Sequence, residues 1–274
     1  MNLARALKRY LRHRRFARLC ARAKAGATSA AVISPRPALS SLWAHAGGGL
    51  LRYGNAQESI DRSVAAGFGV VEIDISVTTD GVPVLSHNFR PDGEWLYDGF
   101  PTLKQFLDQR LHDTLTPLTL EGCLERYRSW QGLFCLDQSV QLRGSGFDFF
   151  AWMAEHVASE HRKNLVMQAY SFEDLRRLAV LGGFAGIHYC LDLFAYDAYE
   201  LRLLAEVLRA YGVGSVSIGD CPITDAVRTS VGLLVSAGLR VGLYGINSKS
   251  RCRCWKEVGA TVFDTDDLQP GDGL

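Results

Sequence analysis

From Leu42 onward, short apolar runs rich in β-branched residues alternate with longer stretches whose apolar positions recur at helical spacing. The first kind predicts strands over Leu42–His45, Val70–Ile75, Leu133–Asp137, Leu165–Ala169, Gly186–Leu191, Ser215–Ile218, Val241–Tyr244 and Thr261–Phe263. The second predicts helices over Gln57–Ala66, Leu120–Trp130, Phe147–Glu160, Phe172–Leu181, Tyr199–Tyr211, Asp225–Ala237 and Lys249–Val258. Gly67, Gly182, Gly212, Gly238 and Gly259 follow five of these helices, where a left-handed residue commonly ends the last turn. Strands alternating with helices in this number predict a single closed (β/α)₈ TIM barrel over residues 42–274. The alternative is an open doubly wound sheet, which usually carries a glycine-rich phosphate loop after its first strand. His45-Ala-Gly-Gly-Gly49 is glycine-rich but lacks the G-x-G-x-x-G spacing.

Two segments break the alternation. Asn88–Pro117 separates the second strand from its helix and carries Phe89, Trp95, Tyr97, Phe100 and Phe106. A long aromatic insertion at that end of a barrel is expected to serve as a lid or substrate wall. Residues 1–41 form the other, a basic N-terminal arm with Ser34-Pro35-Arg36-Pro37 as its linker. Leu3, Leu7, Tyr10 and Leu11 share one helical face, whereas Phe16, Leu19 and Cys20 fall on another.

Charge sharpens this division. Residues 1–24 hold nine Lys or Arg and no acid, leaving 21 basic against 29 acidic residues in the body, a net −8. An acidic body excludes extended nucleic-acid contact, which needs cations on the domain itself. A basic helix can lie on anionic lipid, so residues 1–24 are a candidate peripheral membrane contact; a solvated or oligomer-contacting arm is the alternative. With 274 residues, 47% of them apolar, the chain can bury one large core. Its seven irregularly spaced cysteines read as reduced thiols, and Cys252-x-Cys254 has no second pair to make a zinc knuckle. No run approaches the ~20 apolar residues of a spanning helix. Secretory and twin-arginine signals are disfavoured by cations at Arg18, Arg22 and Lys24, where an apolar core belongs. The expected location is cytoplasmic, with contact at the inner membrane surface.

Active sites of such barrels lie at the C-terminal ends of the strands. His45 follows strand one, Glu72 and Asp74 lie on strand two, and His87 comes just beyond. Glu72 and Asp74, at i and i+2, project from one face of a strand. Two carboxylates there repel each other unless a proton or cation sits between them, and a divalent metal is the simpler answer at neutral pH. Asp137, ending strand three, is the natural third ligand. An all-carboxylate set selects a hard cation, Mg²⁺ or Ca²⁺. Both histidines are then free to transfer protons. Asp80-Gly81 reads as a two-residue hairpin turn that sets residue 87 opposite residue 74, and Pro83 confines the returning segment to an edge. His13, His112, His156, His161 and His188 read as structural or exposed, and Asp264-Thr-Asp266 as turn chemistry.

At these residues the sequence resembles the glycerophosphodiester phosphodiesterase family, within the phospholipase-C-like phosphodiesterase barrels. The pattern stands here as His45-Ala-Gly-Gly, Asn55-Ala, Glu72-Ile-Asp74, Thr78-Thr-Asp80-Gly81 and His87. It continues in Leu118-Thr-Leu-Glu121, Gln168-Ala-Tyr170, Tyr244-Gly-Ile-Asn247 and Phe263-Asp-Thr-Asp266, so that it spans about residues 42–270. The resemblance implies a metal-dependent hydrolase of glycerophosphodiester-like phosphodiesters, a role in lipid metabolism, and a small-molecule or lipid-derived substrate. It implies that Glu72, Asp74 and a third acid bind the metal, with His45 and His87 as general acid and base.

The sequence departs from the family at Ala46, Asn88 and the third acid. There the usual Glu-x-Lys is Asp137-Gln138-Ser139, so the phosphate-facing cation is missing. Arg90, Arg143 and Gln168 are the candidates to supply part of the phosphate clamp. Two other functions fit the same residues. One is a phospholipase acting on a lipid headgroup at a membrane, which the basic arm and aromatic insertion favour. The other is a non-catalytic barrel that binds a phosphorylated glycan or lipid, which the missing lysine favours.

Overall fold

The computed structural model of the chain describes residues 3–27, 41–48, 54–89, 100–109 and 114–273. Eight parallel strands close into a ring: β1 (Leu42–Ala44), β2 (Val70–Val77), β4 (Leu133–Gln138), β5 (Leu165–Ala169), β6 (Gly186–Cys190), β7 (Ser215–Gly219), β8 (Arg240–Tyr244) and β9 (Ala260–Thr265). The ring shuts where β1 pairs with both β2 (Ala44 beside Val71) and β9 (Trp43 beside Asp264), which rules out the open sheet. The ninth strand, β3 (Pro83–Leu85), runs antiparallel to β2 outside the ring, with Pro83 at its start as an edge position requires.

The ring strands are largely buried on both faces, as strands covered by helices should be. Val71, Ile73, Ile75, Phe134, Leu136, Leu165 and Met167 face outward into the main core with the helices. Trp43, Val70, Leu133, Cys135, Val166 and Val262 form a separate apolar cluster, the barrel's floor. Side chains alternate along a strand, so the residues continuing upward on the floor's face are Glu72, Asp74, Asp137 and Asp264. A dry floor beneath a polar mouth is thus written in the period-2 pattern of three strands.

The covering helices are α2 (Gln57–Ala65), α4 (Leu120–Arg126), α6 (Phe149–His156), α7 (Ser159–Arg162), α8 (Phe172–Leu181), α9 (Ala198–Ala210), α10 (Asp225–Ser236) and α11 (Lys249–Val258). Most are started by a side-chain cap: Thr119 for α4, Asp148 for α6, Ser171 for α8, Asp197 for α9, Thr224 for α10 and Ser248 for α11. The helix expected over Phe147–Glu160 is two, α6 and α7, separated by Val157 and Ala158. A short helix, α5 (Val140–Gly144), also follows β4, capped by Ser139. Cys252 and Cys254 are ordinary α11 residues, and none of the seven cysteines is in a disulfide.

Two expectations are corrected. The hairpin is looser than Asp80-Gly81 implied. Thr78 N–H donates to the Val82 carbonyl, so Thr79, Asp80 and Gly81 form a three-residue loop, with Gly81 at φ +79°. Pairing therefore runs Ile75–Leu85 and Val77–Pro83, and Asp74 faces Ser86 rather than His87. Two of the insertion's five aromatics supply the second correction. Phe89 and Phe106 pack with Ala56, Val84 and Leu115 into a small core of their own, beside the helix α3 (Leu103–Asp108), and do not wall the mouth. Trp95, Tyr97 and His112 lie outside the described residues.

The basic arm forms one helix, α1 (Leu3–Ala25), lying along α9. Phe16, His13 and Cys20 face the barrel: Phe16 meets Tyr196 at 5.6 Å between ring centroids, His13 Nε2 lies 2.7 Å from Asp197, and Cys20 is buried. The Leu7, Tyr10 and Leu11 face points the other way and is exposed. No helix among the described residues is long and apolar enough to cross a membrane.

Candidate active site

The strand ends open into a cavity of about 700 Å³ that brings together His45, Glu72, Asp74, His87, Asp137 and Gln168. Arg90 lies outside the described residues. His45 begins a tight 3-10 turn directly after β1. The chain then folds back over β2. Ala46 N–H donates to Glu72 Oε2 (2.7 Å), and Asn55 N–H donates to the Ala46 carbonyl (2.6 Å). Asn55 Nδ2 donates to Asp74 Oδ2 (2.8 Å), while its Oδ1 accepts from Asp74 N–H (2.9 Å). Ala46 and Asn55 sit at φ 49° and 56°, the only non-glycine positive values among the described residues. Backbone strain of this kind persists where surrounding contacts over-determine it, and here it holds two carboxylates in place.

Asp137 stands beside Asp74 across the β2–β4 register and is bonded by the Tyr170 hydroxyl. Oxygens of Glu72, Asp74 and Asp137 lie within 4.8 Å of one another, and a second set of the same size joins His45, Glu72 and Asp264. Asp264 is buried, and its Oδ1 has no hydrogen-bond partner among the described residues. The sequence reading missed it by treating Asp264-Thr-Asp266 as turn chemistry. Asp264 in fact continues the inward face of β9 two positions after Val262. Asp266 was missed as well: its Oδ1 lies 2.8 Å from His45 Nδ1, and Asn247 Nδ2 donates to its Oδ2 (2.9 Å).

The electrostatics follow from this crowding. Burial, then Asp74, Asp264 and Asp137, push Glu72 well above the usual carboxylate range, against the pull of His45. Burial also raises Asp264 and Asp137, which share the same field. Burial alone would lower His45, but the Asp266 hydrogen bond and the Asp264, Glu72 and Asp266 charges outweigh it, and the imidazolium is pushed up to about 11. The site is short of positive charge. Four carboxylates converge in it, and the buried Asp264 Oδ1 without a hydrogen-bond partner fits a cation ligand. All-oxygen donors fit a hard divalent ion.

Arg143, on α5, lies over the Tyr170 ring at 3.6 Å and is the one Lys or Arg lining the cavity among the described residues. Gln168 Oε1 is engaged by the Tyr170 hydroxyl (3.3 Å) and the Cys190 thiol, which leaves its amide nitrogen as a donor. His188, by contrast, is buried under the site against Ser215 Oγ (2.7 Å), and burial lowers it to about 3; His156 stacks on Trp152. Both are structural, as expected.

Residues 45–100 match the sequence profile of the glycerophosphoryl diester phosphodiesterase family, the segment that carries His45, Asn55, Glu72, Asp74 and His87. Over this segment the chain is similar to that family. Solved structures agree in fold. A glycerophosphoryl diester phosphodiesterase from Parabacteroides distasonis shares 16% identity at TM-score 0.64, covering 86% of each chain. The Thermotoga maritima glycerophosphodiester phosphodiesterase shares 18% at TM-score 0.60, covering 83% of this chain and 94% of its own. An Oleispira antarctica phosphodiesterase, solved with its product sn-glycerol-3-phosphate, shares 17% at TM-score 0.63, covering 83% and 93%. No curated protein sequence matches the chain. Outside residues 45–100 the likeness to these structures is one of fold.

Proposed function

We propose that this barrel is a metal-dependent phosphodiesterase that hydrolyses a glycerophosphodiester-like or lipid-derived phosphodiester. One observation carries the reading: a histidine held by a carboxylate stands at the edge of a carboxylate cluster, with a second histidine on the same cavity. Glu72, Asp74 and Asp137 would hold one Mg²⁺ or Ca²⁺. Such an ion neutralises charge on the non-bridging phosphate oxygens as it builds in the transition state.

The chain's own groups do the rest. Asn55 and Tyr170 orient Asp74 and Asp137. Asp266 takes His45 Nδ1, which leaves Nε2 as the nitrogen open to substrate. His45 and His87 divide the proton work: one removes a proton from the attacking water, or from a neighbouring substrate hydroxyl whose cyclic product water then opens, and the other protonates the leaving alcohol. Arg143, fixed on the Tyr170 ring, supplies the cation that Gln138 and Ser139 do not, and the Gln168 amide adds a donor.

Hydrolysis of bis(p-nitrophenyl) phosphate and of a glycerophosphodiester panel tests the reading. Activity should vanish on chelation and return with Mg²⁺ or Ca²⁺. Glu72→Gln should lose both activity and cation binding by calorimetry while the fold is retained. Full activity in chelator, or in Glu72→Gln, would overturn the metal assignment.

A further inference from the structure

We infer that the mouth of the barrel is pressed against an anionic lipid bilayer, with the N-terminal half of α1 and the β6–α9 loop as the contact surface. This rests on the lipid-derived substrate proposed above and names where that substrate is met.

Polarity of packing comes first. α9 follows β6, so its N-terminus lies at the strand C-terminal end, which is the catalytic face. Arg9 pairs with Asp197, Arg12 with Glu200 and Lys24 with Glu206, so α1 runs parallel to α9. The N-terminal half of α1 therefore stands at the catalytic face, where Arg12 Nη2 donates to the Ala195 carbonyl (2.6 Å) and ties the helix to the β6–α9 loop.

Exposure comes second. At that end Leu7, Tyr10 and Leu11 are 54–56% exposed on the face of α1 opposite the barrel. Phe194, at the tip of the tied loop, is 73% exposed, and Val140 and Tyr244 on the cavity rim are 71% and 50% exposed. Toward the opposite face the exposed large apolar residues come one to a helix: Leu19 in the C-terminal half of α1, and Val180 and Val235 near the C-terminal ends of α8 and α10. Large apolar side chains gathered on one rim mark a contact surface, and single ones do not.

Charge decides the partner. Lys8, Arg14 and Arg15 follow the apolar tip within about 12 Å along the helix, and Arg14 lies over the Tyr10 ring. They make no ion pair among the described residues. Nearby acids are engaged: Asp192 caps the Phe194 turn, while Asp197 and Glu200 cap α9 and take Arg9, Arg12 and His13. An apolar tip followed by unneutralised cations matches acyl chains followed by anionic headgroups.

The test uses the full chain with phosphatidylcholine vesicles, with and without phosphatidylglycerol. The protein should sediment with the mixed vesicles and be released by salt. Tryptophan placed by Phe194→Trp should be quenched by brominated acyl chains beyond the wild-type background, and tryptophan placed by Val180→Trp should not. Leu7→Gln with Leu11→Gln should remove sedimentation while leaving hydrolysis of a soluble diester intact. Arg14→Gln with Arg15→Gln should weaken partitioning about thirtyfold, from about fivefold per basic residue lost near an anionic surface. Failure of the wild-type protein to sediment, or sedimentation with quenching no greater at 194 than at 180, overturns the proposal. Sedimentation and quenching need no turnover: insertion without hydrolysis would refute only the chemistry, and hydrolysis without insertion only the surface.

Discussion

Asp266→Asn should invert the tautomer of His45 and thereby disable it. Asn247 Oδ1 is pinned by two donors, Asp266 N–H (2.8 Å) and the Thr265 hydroxyl (3.0 Å), so its Nδ2 must face residue 266. In Asp266→Asn the new amide oxygen takes that donor, and the new NH₂ is left facing His45 Nδ1. Nδ1 then becomes an acceptor, so whenever His45 is neutral its single proton sits on Nε2, and the nitrogen open to substrate has no lone pair to offer. The charge that holds the imidazolium up is lost as well, and Asp266 itself is held below the ordinary range chiefly by that hydrogen bond. Misplacing one general acid–base group reduces the rate by about 10²–10⁴-fold, or about 3–5 kcal/mol of barrier. Steady-state kinetics on a soluble diester should show that loss in kcat with KM little changed. Cation affinity should be close to wild type, because Asp266 is in neither carboxylate set. Nitrogen chemical shifts of labelled histidine report the tautomer without any turnover. If Asp266→Asn keeps kcat within a few-fold of wild type, or if His45 keeps its proton on Nδ1, the reasoning fails.

Other outcomes follow from the same geometry. His45→Ala and His87→Ala should each lose about 10²–10⁴ in rate with cation affinity little changed, and the double variant less than the product, because the pair works as a unit. A p-nitrophenolate leaving group should rescue only the variant that lacks the acid, so equal rescue of both would argue against divided roles. His188 stays neutral in the fold, its value lowered to about 3 by burial and then by Arg240. Its contribution is therefore complete above the unfolded value near 6.5 and lost as pH falls from there toward 3, at about 1.4 kcal/mol per pH unit. Denaturant midpoints across that window should flatten in His188→Gln, and parallel profiles would remove His188 as the cause.

Legibility differed between elements for physical reasons. The ring strands stood out because they are short runs rich in β-branched residues between helical stretches, so strand ends fell within a residue or two of those expected. Glu72 and Asp74 stood out because charge is rare in such runs. Asp264 has the same signature, an acid on the inward face after Val262, but it lies next to Thr265 and Asp266 and looked like a turn. Asn55, Asn247 and Asp266 are ordinary loop residues in sequence. Their use depends on β1 closing against β9 and on the fold-back after His45, which no local pattern encodes. The hairpin register slipped because Asp80-Gly81 suits a two-residue turn as well as a three-residue loop with glycine last. The docking of α1 on α9 was hidden for a related reason: its contacts with the barrel are largely polar, so its most apolar face is the one left outside.

The sign of the cavity separates catalysis from mere binding. A barrel made only to hold a phosphorylated glycan or lipid has no use for inward carboxylates, because each repels the anion it is meant to hold. Here Glu72, Asp74, Asp137 and Asp264 face Arg143 and two histidines, and burial followed by the neighbouring carboxylates already raises Glu72. An anion can enter only after a cation has reversed that sign, so anion and cation binding must be linked in both directions. Inorganic phosphate should therefore bind weakly or not at all in chelator and much more tightly once Mg²⁺ or Ca²⁺ is added. The cation in turn should bind more tightly with phosphate present, by the same factor. Calorimetry in each order measures both. Equal phosphate affinity with and without the cation would mean that Arg143 and the histidines hold the anion unaided, and the carboxylates would then need another explanation.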